Sequence, residues 1–141
     1  MITIKNRGLE ITVRKKDGLI CGLYSGLGAY NLADLNGMGG ICYKQKGDDI
    51  RTERPFTPYK ERFASYDSVI MEKNRVRCRN EKLSVETIYS LKHDLLTIES
   101  HTDNPEISQF GIDLNLNFLS KKNGTYVGQL LPSSPYTSRD G

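Results

Sequence analysis

Hydrophobic residues recur at every second position along much of this chain, and turn-forming residues separate the runs. Ile2 and Ile4 alternate with Thr3 and Lys5, and Leu9, Ile11 and Val13 alternate with Glu10 and Thr12. A period of two puts successive side chains on opposite faces of a strand. Asn6-Arg7-Gly8 and Lys16-Asp17-Gly18 carry the residues that tight turns need. Strands over Ile2 to Lys5, Leu9 to Arg14 and Leu19 to Tyr24 are therefore predicted, joined as hairpins. Glycines at 26, 28, 37, 39 and 40 disfavour helix and predict a loop or a close backbone approach. They lack the Gly-Lys-Ser/Thr ending of a phosphate loop. Ile41-Cys42-Tyr43 reads as a short strand, and residues 44 to 64, polar and broken by Pro55 and Pro58, as a long surface excursion.

The second half alternates more regularly. Strands are predicted over Ser68 to Met71, Arg75 to Arg79, Leu83 to Leu91, Leu95 to Thr102 and Gln109 to Phe118, with a further short strand over Tyr126 to Leu131. Their turns recur at intervals of roughly 8–14 residues, as in sandwiches and barrels. No stretch holds a 3.6-residue apolar period, so the predicted class is all-β, an antiparallel β-sandwich with little or no helix. A length of 141 residues suits one domain spanning 1–141. The polar stretch from Pro132 to Gly141 reads as a linker, which leads us to expect a fragment or N-terminal domain of a longer protein.

The alternation also assigns faces. In Gln109 to Phe118, the residues Phe110, Ile112, Leu114, Leu116 and Phe118 are expected in the core, with Gln109, Gly111, Asp113, Asn115 and Asn117 opposite. Leu83, Val85, Thr87, Tyr89 and Leu91 form an inner row against Ser84, Glu86 and Ser90. Arg75, Arg77 and Arg79 oppose Val76 and Cys78, and Thr97, Glu99 and His101 oppose Leu96 and Ile98. Ile88 and Leu95 break the sorting by falling on the polar side. If these strands are sequential neighbours, one face gathers arginines, carboxylates, a histidine and carboxamides. Such planar donors and acceptors suit sugar hydroxyls, although a wet face is ordinary for an antiparallel sheet.

Composition narrows the classes. Hydrophobic residues make up 37% and charged residues 26%, and no apolar run reaches the roughly 18–20 residues of a membrane span. A net charge of +3 falls short of a nucleic-acid footprint, so neither a membrane nor a nucleic acid is expected as partner. Cys21, Cys42 and Cys78 are odd in number and widely spaced. They predict buried thiols in a reducing compartment, with no zinc site and no cofactor. The start lacks the apolar core of a signal peptide, so a cytoplasmic protein is expected, or a secreted one if a leader has been removed. Asn123-Gly124-Thr125 matches a glycosylation sequon.

Candidate catalytic groups are few. Glu99 and His101 share a strand face and could act as an acid/base pair. Glu86, Glu99 and Asp113 could supply the two carboxyls of glycosidase chemistry. Ligand-binding candidates are Gln109, Asp113, Asn115 and Asn117, with Arg77 from the neighbouring polar row.

The stretch from Leu83 to Phe118 resembles the galactose-mutarotase-like supersandwich. The resemblance is carried by Tyr89-Ser90-Leu91, a turn, Leu95-Leu96-Thr97-Ile98-Glu99, then Asn104 and Phe110-Gly111-Ile112-Asp113. It implies a supersandwich-like fold and a carbohydrate-linked role. Where that family places its catalytic histidine beside an aromatic, this chain has Leu116-Asn117-Phe118-Leu119, which argues against epimerase activity. An accessory β-domain beside a glycoside hydrolase or polysaccharide lyase fits better. Three readings follow: a non-catalytic module that scaffolds a catalytic domain or binds glycan, a fragment of a carbohydrate-active enzyme, and a protein-interaction domain using loop 44–64. The expected partners are a carbohydrate or an adjacent catalytic domain, and self-association as a homo-oligomer is compatible with each reading.

Overall fold

The computed structural model describes residues 1–26, 30–34, 36–48, 62–93, 95–114 and 116. Among them the chain forms β1 (Ile2–Lys5), β2 (Leu9–Val13), β3 (Ile20–Ser25), β4 (Ile41–Gln45) and β5 (Arg62–Ala64). There follow β6 (Ser68–Glu72), β7 (Arg75–Asn80), β8 (Val85–Lys92), β9 (Leu95–Thr102) and β10 (Ile107–Ile112), and no helix is present among the described residues. The strands make three antiparallel sheets, ordered β1-β2-β3, β10-β4-β5 and β6-β7-β8-β9. The fold is the expected antiparallel β-sandwich.

Short turns dictate most of this order. Asn6 accepts backbone N–H bonds from Gly8 and Leu9 through its side-chain oxygen and so closes the β1–β2 turn. Lys73 and His93 adopt left-handed backbone conformations in the β6–β7 and β8–β9 turns. Ser84 does the same, so β8 begins at Val85 and not at the predicted Leu83, although Leu83 is still buried.

The inner rows supply the core. Ile2, Ile4, Ile11 and Val13 of the first sheet meet Ile20 and Ile41, while the four-stranded sheet contributes Val76, Cys78, Val85 and Tyr89. Two buried tyrosines tie the four-stranded sheet to the glycine-rich loop. The Tyr89 hydroxyl donates to the carbonyls of Gly18 and Gly39 at 2.9 and 3.2 Å. Tyr66 donates to Gly39 O at 2.8 Å and shares a 2.7 Å bond with the Thr87 hydroxyl. Burial pushes the Tyr66 hydroxyl up to about 12, raises Tyr89 further, and raises the Cys78 thiol to about 12. Gly39 is where the backbone approaches most closely: its φ is +93°, and a Cβ there would run into the Tyr89 hydroxyl. The glycine segment thus serves core packing through a close backbone approach, as expected.

Three expectations need correction. β10 pairs with β4 and not with β9, so the late strands are not all neighbours in one sheet. Phe110 and Leu114, expected in the core, are exposed, and Ile112 is half-buried. β10 lies at a sheet edge and shifts register between Ile107 and Gln109; Ile107 and Leu116 are the residues there that pack on the core. The excursion 44–64 also gives its two ends to strands, Lys44 and Gln45 to β4 and Arg62 to Ala64 to β5. Residues 49–61 and the predicted strand Tyr126 to Leu131 lie outside the described residues.

Candidate functional site

The four-stranded sheet gathers the polar row its sequence promises. Cross-strand register aligns Ser68, Arg79, Glu86 and His101; then Ile70, Arg77, Ile88 and Glu99; then Glu72, Arg75, Ser90 and Thr97. All point away from Val76, Cys78, Val85 and Tyr89. The arginines are occupied. Arg75 and Arg77 share the Glu72 carboxylate at 3.4 and 3.2 Å. Arg79 contacts Glu81 at 2.8 Å and Glu86 at 3.8 Å. Arg77 Nε is buried between rows with no hydrogen-bond partner among the described residues. Charges on this face are mostly spent on one another, as cross-strand pairing favours.

Glu99 and His101 are both exposed here, two residues apart on the edge strand β9. No side-chain hydrogen bond or ion pair joins them to each other or to the Glu86 carboxylate among the described residues. Asp113, the third carboxylate considered, follows β10 and extends the other sheet, with backbone bonds to Gly39 and Gly40 at 2.7 and 2.8 Å. The acid/base and two-carboxylate arrangements are therefore divided between sheets or laid out on an open surface.

The predicted ligand residues divide in the same way. Arg77 stands on the four-stranded sheet, whereas Gln109 and Asp113 belong to the β10 side of the second sheet. Asn115 and Asn117 lie outside the described residues. Around Gln109, register brings an unexpected neighbour. Gly111 pairs with Cys42, and Cys42 pairs with Phe63, so Phe63, Cys42 and Gly111 form one row. Gln109, Gly111 and Asp113 share this face by alternation. Phe63 is 65% exposed. Next to it, Arg62 grips Asp48 through Nε at 2.8 Å and Nη2 at 3.0 Å, and the Gln45 N–H adds a third bond to the same carboxylate. The Arg62 hydrogen bonds, then that backbone N–H, hold the Asp48 carboxyl well below the usual carboxylate range. This clamp fixes the start of β5 beside the end of β4, and with it Phe63.

In the sequence, Phe63 falls inside the polar excursion 44–64 and nothing local singles it out. Its place opposite Cys42 depends on a pairing between strands separated by a long segment, which local pattern does not encode. The thiols depart from expectation, since only Cys78 is buried and Cys21 and Cys42 are partly accessible. No cluster of three or more His, Cys, Asp or Glu able to hold a metal occurs among the described residues. Compared with protein-family models, curated proteins and solved structures, the chain matches none.

Proposed function

We propose that this chain is a non-catalytic, carbohydrate-associated β-sandwich module whose glycan face is the outer side of β10-β4-β5. The observation that carries this reading is the exposed Phe63 ring, in row with Cys42 and Gly111 and on the face of Gln109 and Asp113. An exposed ring, with only Cys42 between it and the glycine of β10, offers an apolar platform for the C–H face of a sugar. Gln109 donates and accepts, and Asp113 accepts, so hydroxyls at the rim of a stacked sugar have partners. The resemblance of the stretch from Leu83 to Phe118 to galactose-mutarotase-like supersandwich domains supports the same class. A role as accessory domain beside a glycoside hydrolase or lyase follows from it.

The test is a glycan array followed by calorimetry on the 141-residue protein. Phe63→Ala is expected to weaken binding of a neutral oligosaccharide by roughly tenfold, with Gln109→Ala and Asp113→Ala each costing several-fold. Arg77→Ala, on the other sheet, is expected to leave affinity unchanged. An array without a bound neutral glycan removes the binding role and leaves scaffolding.

A further inference from the structure

The open face of β1-β2-β3 differs from both faces described so far. Register aligns Lys5, Glu10 and Tyr24 in one row and Thr3, Thr12 and Gly22 in the next. The Tyr24 ring lies down across Gly22: a Cβ on Gly22 would stand 3.0 Å from Tyr24 Cε2 and 3.2 Å from Thr12 Cβ. The glycine thus makes room for a ring lying along the sheet. Beside it opens a cleft of about 510 Å³, lined by Lys5, Arg7, Glu10, Tyr24 and the turn at Asn6. The floor of the cleft is held in place, because Asn6 donates through Nδ2 to the His93 carbonyl of the β8–β9 turn.

Three charged side chains of the cleft, Lys5, Arg7 and Glu10, stand apart from one another. Lys5 faces Glu10 across the strands, yet Lys5, Arg7 and Glu10 enter no ion pair or side-chain hydrogen bond among the described residues. Two cations and one carboxylate leave one positive charge in excess. A ring platform, two cations and a lone acceptor define a ligand with an apolar ring face, an anionic group and hydroxyls.

We infer that the Tyr24 cleft is a subsite for an acidic sugar residue, a uronate. Its ring stacks on Tyr24, its carboxylate meets Lys5 and Arg7, and a hydroxyl donates to Glu10. The inference rests on the carbohydrate reading but names a different sheet, different residues and a different ligand charge, so the two can fail separately.

The experiment is an NMR titration of the 141-residue protein with trigalacturonate and, separately, with the neutral galactose trimer. Trigalacturonate is expected to shift Tyr24, Lys5 and Arg7 resonances, and Lys5→Gln to weaken it roughly tenfold. Tyr24→Leu is expected to weaken it by a similar factor, with folding checked by circular dichroism. Lys5 is exposed, so Lys5→Gln keeps the test valid if Tyr24→Leu does not fold. Equal shifts from trigalacturonate and from polyacrylate of matched charge overturn the inference, since charge alone would then explain binding. Binding of neutral glycan at Phe63 with no trigalacturonate response at Tyr24 overturns it while sparing the reading of the Phe63 face. Failure of both probes at both faces sinks both.

Discussion

The open faces of β6-β7-β8-β9 and of β1-β2-β3 are built from the same alphabet and end in opposite electrostatic states. On the first, three arginines stand in a line and every one meets a glutamate. On the second, Lys5 and Glu10 are register partners and remain apart, beside a ring laid over Gly22. Charges that satisfy one another stabilise a surface slightly and offer little to a ligand. Charges left without partners beside a ring and a cleft are available for recognition. The density of polar residues on a sheet is therefore a poor guide to a site, and the state of their pairing is a better one.

The comparison can be broken first where both faces depend on a shared joint. Gly39→Ala drives a Cβ into the Tyr89 hydroxyl and forces a left-handed conformation on alanine. It is expected to destabilise the protein by about 3 kcal/mol or more in chemical denaturation and to disturb ligand response on both sides. A variant as stable as the parent would mean that the tyrosine lock does not hold the sheets together.

Next comes alkaline pH. The Tyr66 hydroxyl is raised from 10 to about 12 by burial, so the native state keeps its proton where the unfolded chain loses it. Stability from this group is complete below pH 10 and is lost as pH rises through 12. The loss is on the order of 2 kcal/mol, with Tyr89 acting in the same direction. Phenolate absorbance should show two tyrosines that ionise only as the protein unfolds. Full ionisation of all tyrosines near pH 10 with the fold intact would contradict the buried network.

The smallest effects sharpen the contrast between the faces. Glu72→Gln strips Arg75 and Arg77 of their shared partner and should cost less than about 1 kcal/mol, shrinking with added salt. Glu10→Gln should change stability by less than about 0.5 kcal/mol, since no partner is lost. A salt-dependent loss in Glu10→Gln as large as that in Glu72→Gln would erase the distinction.

Strand by strand, much of the fold was legible in the sequence. The inner row Leu83, Val85, Thr87, Tyr89 and Leu91 is buried or packed on the core, and the three arginines of β7 point outward. These segments are consecutive hairpins, and alternation with short turns fixes both face and partner. β10 shows where that logic stops. Its alternation suggests that Phe110 and Leu114 are core, but the strand sits at an edge and pairs with β4 across the 61 residues between Gln45 and Ile107. The exposure of Phe110 and Leu114 comes from that position.

The sequence by itself determined the class, the hairpin order of β1 to β3 and β6 to β9, and the two-sided character of each strand, because period-two alternation and turn chemistry act over a few residues. Only the tertiary structure decided that β10 joins β4, that Phe63 stands in row with Gly111, and that Lys5 and Glu10 stay unpaired while Arg75, Arg77 and Arg79 do not. Those outcomes depend on pairing between distant segments and on rotamers chosen in the packed state, and neither leaves a mark in local pattern.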